Sequence, residues 1–301
     1  MPVAKYTNRH NTALAKFVAT LDNPSSELDD LCLRTFQGVL GQPGLDPTEN
    51  CLVLEQSGQI KGLALIFWEF PIGRSIVEVM TTPELAGNPC EIDLVQQPVA
   101  KAESHKLSVA HICVMADSGM GKVLEQAGFT KVLTYQDMLW SMDELAELEL
   151  PKGYSVRSFQ TGDTPLLTQV QNDAFTGNWG FCPNTEEQIE YRTQMPNTSK
   201  DGILFLIEGN IPAGYCWAMM VPAENGVRGV IGMIAVVPDY RGKGVSRHIL
   251  QAGMKHLRSI GLAEIGLDVD GNNAPAVGLY ESTGFNTMGE RHWFERVLPG
   301  T

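Results

Sequence analysis

At 301 residues the chain exceeds one typical domain and is long enough for two, each able to bury its own core. Charged residues at 19% and aromatics at 8% are ordinary for a soluble globular protein, which excludes a disordered or fibrous class. With 35 acidic residues against 22 Lys and Arg the net charge is −13, which argues against nucleic acid, bound through basic patches, and modestly favours a cationic amine over an acidic substrate.

The N-terminal stretch MPVAKYTNRHNTALAKFVATLDNP has no apolar core long enough for a signal peptide, and no run approaches the roughly 20 apolar residues of a membrane span. A cytoplasmic protein without membrane contact is expected. Cys32, Cys51, Cys90, Cys113, Cys182 and Cys216 show no CxxC spacing and are expected as reduced, mostly buried thiols. His10, His105, His111, His248, His256 and His292 form no HExxH or His-Cys cluster, so no metal site is expected.

In chain order, CLVLEQSGQIKGLALIFW from Cys51 reads as strand, tight turn, strand, and IVEVMTTPELAGN from Ile76 as a strand ended near Pro83. The stretch V-L-E-Q-A-G-F at Gly128 and Phe129 mirrors L-Y-E-S-T-G-F, where Gly284 is the predicted helix stop. SMDELAELELPKG is acidic and breaks at Pro151-Lys152-Gly153, which places the predicted junction between residues 1–146 and 147–301. GYSVRSF then reads as a strand. NDAFTGNWGFCPNTEEQIEYRTQM follows, with Gly177, Gly180 and Pro183 marking a loop around Trp179 and Phe181. ILFLIEGNIPAGYCWAMM is a second strand, turn, strand unit. GMIAVV is an apolar, partly β-branched strand ended by Pro238.

The loop R-G-K-G-V-S, Arg241 to Ser246, comes next. Val245, Ile249, Met254, Leu257 and Ile260 then recur at helical spacing, with Arg247, Lys255 and Arg258 on the polar side and Gly261 as the predicted stop. A glycine loop between strand and helix aims unpaired amides and the positive end of the helix dipole at one point, the requirement of a phosphate site. Gly242 and Gly244 let the backbone approach the ligand, and Arg241 and Lys243 add positive charge. The usual triphosphate loop is excluded because Gly244 follows Lys243 where Ser or Thr is needed. A dinucleotide fingerprint is excluded because Arg247 stands where the third glycine belongs. Ile265, Leu267 and Val269 alternate with Gly266, Asp268 and Asp270 as a half-buried strand, and N-x-x-A-x-x-L-Y-x-x-x-G-F follows from Asn273 to Phe285.

The chain repeats itself. Gly128-Phe129 lies 156 residues before Gly284-Phe285, Pro83 lies 155 before Pro238, and the two strand, turn, strand units occur in the same order.

The pairing of V-x-P-x-x-R-G-x-G with N-x-x-A-x-x-L-Y-x-x-x-G-F resembles the GNAT superfamily of acyl-CoA-dependent N-acyltransferases, with Ser246 where Gly or Ala is usual. The resemblance is strongest over Met233 to Phe285. The tandem organisation, with the working site in the second half, resembles that of the mycothiol synthase family. The fold implied is α+β in αβα layers: two tandem GNAT folds, each a mixed, mainly antiparallel sheet whose central parallel strands splay apart. Ile234, Ala235 and Val236 would then face the pantetheine arm of acetyl-CoA. Arg241, Gly242, Lys243, Gly244, Val245 and Ser246 would hold the pyrophosphate, and Asn273 and Tyr280 would lie near the thioester. Tyr280 is the expected acid for the leaving thiolate. A strand-bulge amide would stabilise the oxyanion. The family often carries a glutamate on the strand before the loop, but Gly229 to Met233 holds no carboxylate; Asp270 is ranked first as base, ahead of Asp268 and Glu224, with ordered water as a further route. Trp179, Phe181 and Asp268 are the expected acceptor-side residues.

In the first half Ala86, Gly87, Asn88 and Pro89 replace the basic glycine loop, Leu124 stands for Tyr280 and Asp117 for Asn273, so that domain is expected to lack a cofactor site. The implied activity is acetyl transfer from acetyl-CoA to a primary amine of a small molecule. The alternatives are a non-catalytic acyl-CoA-binding protein and a protein lysine or N-terminal acetyltransferase. A monomer or homodimer is expected.

Overall fold

The protein is described from a computed structural model over residues 3–22, 29–85, 88–142, 144–223 and 226–299. It forms two compact units that are not consecutive stretches of chain. The first comprises residues 1–136, 270–272 and 289–301, and the second comprises 137–269 and 273–288.

The elements of the first half are β1 (Val3–Lys5), α1 (Asn11–Asp22), α2 (Asp29–Leu40), α3 (Pro47–Asn50), β2 (Cys51–Gln56), β3 (Gln59–Glu69), β4 (Arg74–Thr81), α4 (Pro89–Ser104), β5 (Val109–Met115), α5 (Met120–Gln126) and β6 (Thr130–Trp140). Period-two alternation sends the side chains of each strand to opposite faces. Cys51, Val53, Leu63 and Leu65 pack under Leu14, Phe17 and Phe36 of α1 and α2. Leu52, Leu54, Ala64 and Ile66 pack on the other face with Leu94, Val95 and Val99 of α4. Burying a side chain of this size contributes about 1.5–3 kcal/mol, so both helical layers are held by the sheet they cover. β3 and β4 pair antiparallel from Gly62↔Thr81 to Glu69↔Arg74 without a register shift. β4 and β5 pair in parallel only from Arg74↔Val109 to Val77↔Ile112, and diverge beyond.

The second half comprises β7 (Tyr154–Ser158), α6 (Thr164–Phe175), α7 (Glu186–Thr193), β8 (Thr198–Glu208), β9 (Ile211–Ala223), β10 (Gly226–Val236), α8 (Ser246–Ser259), β11 (Ile265–Asp270), α9 (Ala274–Glu281) and β12 (Asn286–Val297). Ile203, Phe205, Tyr215 and Trp217 face Leu167, Val170 and Ile189 of α6 and α7. Leu204, Leu206, Cys216 and Ile231 face Ile249, Leu250, Met254 and Leu257 of α8, with Tyr280 of α9. Thus each unit is an αβα sandwich around a mixed, mainly antiparallel sheet. β10 and β11 are parallel but pair only at Gly229↔Ile265 and Val230↔Gly266. From Ile231 onward they splay, leaving one side of β10 without a strand partner among the described residues. On its other side β10 pairs with β9, and the register shifts between Ile231 and Met233, a β-bulge at Gly232.

The repeat is visible in local geometry. Helix α9 ends with Phe285 N–H bonded to Tyr280 carbonyl at 3.0 Å, Gly284 N–H bonded to Glu281 carbonyl at 3.0 Å, and Gly284 at φ +100°. Helix α5 ends with Phe129 N–H on Leu124 carbonyl at 2.9 Å, Gly128 N–H on Glu125 carbonyl at 3.0 Å, and Gly128 at φ +83°. Both are Schellman caps, which explains why the glycine and phenylalanine recur.

The units depart from a division at residues 146 and 147 in their terminal strands. Asp137–Trp140 of β6 belongs to the second unit, while β12 from Gly289 onward belongs to the first, where Arg291–Val297 pair antiparallel with β5. Strand partners far apart in sequence leave no local trace in composition. Glu224, considered as a base, and Ala86 and Gly87 of the first-half loop lie outside the described residues.

Candidate functional site

β10 delivers the chain through a single 3-10 turn, Pro238–Tyr240, into the glycine loop. Gly242 at φ +75° and Gly244 at φ +77° adopt left-handed conformations that glycine takes freely and a side chain would strain, and a Cβ at either would meet no atom within 4 Å, so the backbone demands glycine while the loop is open above. Buried Val245, at 2% exposure, anchors it to the core under α8. The amides from Gly242 through Arg247 donate to no acceptor among the described residues; the next helical bonds run from His248 and Ile249 N–H to Val245 carbonyl. Six consecutive orphan donors at the positive end of a 14-residue helix form a cradle for an oxyanion.

The basic side chains of the loop are oriented differently from the simple expectation of charge pointing at phosphate. Arg241 donates through Nε to Val236 carbonyl at 3.2 Å and through Nη2 to Ala174 carbonyl at 2.6 Å. It braces the end of β10 to the last turn of α6, where a cation also complements the helix dipole. Lys243 Nζ lies 4.5 Å from the Tyr240 ring centroid, and the Tyr240 hydroxyl donates to Glu208 at 3.0 Å. Ser246 opens α8 without a side-chain cap, consistent with its amide remaining unpaired. Ile234, Ala235 and Val236 lie beyond the splay, half-buried on the strand edge.

Tyr280 is 6% exposed, and its ring meets Phe285 edge-on at 5.9 Å between centroids. The Schellman cap and this contact fix the ring, and the hydroxyl makes no hydrogen bond among the described residues. Burial raises its pKa well above that of an ordinary phenol, with the neighbouring Cys216 and Asp268 adding to the rise. The Cys216 thiol, fully buried on β9 beneath α8, is itself pushed up to about 12 by burial.

Asn273 is the N-cap of α9, its side chain accepting Ala276 N–H at 3.2 Å. Asp268 is exposed on β11 and acts electrostatically on Tyr280. Asp270, the last residue of β11, accepts Asn272 N–H at 2.8 Å through Oδ1 and so also shapes a turn. In the α6 to α7 loop, Gly177 at φ +87° and Gly180 at φ +64° turn the chain, Trp179 is 41% exposed, and Phe181 stacks on Phe175 at 5.9 Å. The structure therefore joins the loop residues to one another and Tyr280 to Asp268. The sequence reading missed Arg247, whose guanidinium grips Ser282 and Thr283 just after α9. Its place on the polar side of α8 carried no sign of that partner.

At the corresponding start of α4 in the first half the donors are satisfied internally. Asn88 accepts Cys90 N–H at 3.0 Å, Pro89 has no N–H, and the Glu91 carboxylate, 3% exposed, sits in the first turn. The Glu91 carboxylate accepts from Thr81 Oγ1 at 3.1 Å, and its charge in the first turn disfavours a further anion there. The register of β4 also lacks the bulge seen in β10.

Among the described residues no helix is long and apolar enough to cross a membrane, and no group of three or more His, Cys, Asp or Glu is arranged to hold a metal ion.

Residues 165–285 match the acetyltransferase (GNAT) family model. A mycothiol acetyltransferase of Saccharopolyspora erythraea is 32% identical over 154 residues, 49% of this chain and 50% of that protein, so the match spans half of the relative. One of Propionibacterium freudenreichii subsp. shermanii is 26% identical over 275 residues, 90% of this chain and 85% of that protein. Among solved structures, a GCN5-related N-acetyltransferase from Sphaerobacter thermophilus superposes with TM-score 0.75 at 19% identity, covering 100% of this chain and 96% of that one. A tandem GNAT protein from the clavulanic acid biosynthesis pathway gives 0.71 at 12% identity, covering 100% and 99%. These similarities establish two GNAT folds in tandem.

Proposed function

We propose that this chain, which carries a GNAT acetyltransferase domain over residues 165–285, moves the acetyl group of acetyl-CoA to the primary amine of a small molecule. The observation that carries the reading is the row of orphan amides from Gly242 to Arg247 in the same unit as a buried, hydroxyl-free-to-donate Tyr280. The cradle fits the pyrophosphate of acetyl-CoA. The unpaired edge of Ile234, Ala235 and Val236 fits the amide-bearing pantetheine arm, and the irregular backbone at Gly232 supplies a donor for the developing oxyanion.

In this scheme the amine nitrogen attacks the thioester carbonyl carbon, the C–S bond breaks, and the sulfur takes the Tyr280 proton. The raised pKa keeps Tyr280 protonated at neutral pH. We assign removal of the amine proton to Asp270 and retention of the cationic amine to Asp268, with Trp179 and Phe181 on the acceptor side. The first domain we assign a structural role without cofactor, since its helix N-terminus is already occupied by Asn88 and Glu91. The name shared by the relatives makes an amine precursor of mycothiol the first acceptor to test.

The test is thiol release from acetyl-CoA over a panel of small amines and a lysine peptide, combined with calorimetric titration of acetyl-CoA. Turnover with a small amine and one binding event per chain are expected. Binding without thiol release on any amine would mean a non-catalytic acyl-CoA binder, a reading favoured by the lack of a carboxylate on β10. Turnover only on the peptide would replace the small-molecule acceptor, and no binding would overturn the reading altogether.

A further inference from the structure

Arg247 is the second residue of α8, directly after the glycine loop, yet its guanidinium is directed at the end of α9. Nη1 donates to Ser282 carbonyl at 3.1 Å and to Thr283 Oγ1 at 3.3 Å, and Nη2 donates to Ser282 Oγ at 2.6 Å. Both hydroxyls then donate to the Leu279 carbonyl, Ser282 Oγ at 3.0 Å and Thr283 Oγ1 at 2.7 Å. Leu279 precedes Tyr280, and Thr283 N–H closes the same turn on Tyr280 carbonyl at 3.0 Å. One side chain thus addresses three acceptors, relayed by two hydroxyls to the peptide that carries the Tyr280 ring. Its own backbone N–H belongs to the orphan cradle. A planar guanidinium suits such a fork, and its charge complements the carbonyl end of α9.

We propose that Arg247 is a positioning residue that couples occupancy of the anion cradle to the placement of Tyr280. An anion that draws the amide of Arg247 toward it restrains the first turn of α8, and the guanidinium passes that restraint to Ser282, Thr283 and the last turn of α9. This rests on the reading of the loop as the acetyl-CoA site and of Tyr280 as the acid. The Arg247 guanidinium is not placed as a phosphate ligand, because Nη1 and Nη2 are directed at Ser282 and Thr283. The same loop is tied by Arg241 to α6, whereas the Arg247 link runs to the turn that follows Tyr280.

The experiment is amide hydrogen exchange of the full chain with and without acetyl-CoA, followed over residues 274–285, in the unmodified protein, Arg247→Ala and Arg247→Lys. In the unmodified protein, acetyl-CoA should slow exchange in this segment by about tenfold or more. In Arg247→Ala that slowing should vanish while the calorimetric Kd for acetyl-CoA changes less than threefold, and Arg247→Lys should restore part of it. A merely structural role would speed exchange equally with and without acetyl-CoA. Ligand-dependent protection that survives in Arg247→Ala overturns the coupling, and a Kd weakened tenfold or more, with protection following saturation normally, makes Arg247 a phosphate ligand instead. If the unmodified protein fails to bind acetyl-CoA, the functional reading fails. In that case unchanged exchange at 274–285 in ligand-free Arg247→Ala also removes the brace, and faster exchange keeps the brace without the coupling.

Discussion

Tyr280 owes its condition to what surrounds it. The L-Y-x-x-x-G-F pattern makes the Schellman cap and places Phe285 against the ring, and Cys216, 64 residues earlier in the chain, supplies part of the dry environment that raises the phenol. Tyr280→Phe keeps the ring contact and removes only the proton, so turnover should fall roughly 10²-fold or more while acetyl-CoA affinity stays within about threefold. Steady-state rates and calorimetry on one preparation check this, and an unchanged rate removes Tyr280 from the chemistry. Asp270→Asn keeps an oxygen for the Asn272 amide while removing the carboxylate proposed as base. Turnover should then fall roughly 10²-fold while acetyl-CoA affinity stays within about threefold. A rate that is unchanged assigns proton removal elsewhere. The helix stop at Gly284 that fixes the Tyr280 ring was legible in the sequence because a cap is local; the side-chain geometry of Arg241 and Arg247 was not, because their carbonyl partners come from α6 and from the end of α9.

At the scale of elements, the closeness of α8 to the sheet decides the geometry of the loop above it. Gly253 is the contact point: an added Cβ would lie 2.4 Å from Cys216 Sγ and 3.0 Å from Ile231 Cδ1. Alanine improves helix propensity by about 1 kcal/mol, but overpacking of this kind costs about 1–3 kcal/mol, because Cys216 and Ile231 are both buried in the core and have little room to turn away. Gly253→Ala should therefore destabilise, and Cys216→Ala in the same chain should recover most of the loss, as a urea-denaturation double-mutant cycle would read. A stabilised Gly253→Ala would show that the helix can lift freely. In the loop, Gly244→Pro fixes a negative φ where +77° is needed and deletes an amide. Acetyl-CoA affinity should fall at least tenfold, about 1.4 kcal/mol. Arg241→Ala should loosen the brace to α6 and weaken affinity less. The element order and the glycine positions could be read from sequence periodicity, whereas the bulge at Gly232 and the short parallel pairing of β10 with β11 depend on strands brought together only by folding.

For the whole molecule, two repeats of one fold have diverged at the helix start that matters: six orphan amides at α8, and an Asn88 cap with a buried Glu91 at α4. Calorimetry should accordingly give one acetyl-CoA per chain, and two would show that the first-half loop is competent. Both repeats bury groups that resist ionisation. Cys51 and Cys216 are held near 12, and Tyr215 and Tyr280 are raised above 10 by burial. In the unfolded chain these thiols ionise from about pH 8.5 and these phenols from about pH 10. Above those values the unfolded state carries fewer protons than the folded one, so stability falls as pH rises. Thermal melts should show a decline setting in above about pH 8.5 and steepening above about pH 10; a flat profile to pH 11 would contradict the burial of these groups.

What the sequence determined by itself was whatever is encoded within a few residues of chain: strand alternation, the glycine loop, the helix caps and the internal repeat that announces two copies of one fold. Those signals are short-range because backbone conformation and hydrophobic period are short-range. Only the tertiary structure decided which strand ends each unit, with β12 from Gly289 onward pairing in the first unit and Asp137–Trp140 of β6 belonging to the second. It likewise decided that both arginines flanking the cradle reach for helix carbonyls, because a guanidinium takes the partners that folding brings within its reach, and those lie 67 and 35 residues away in the chain.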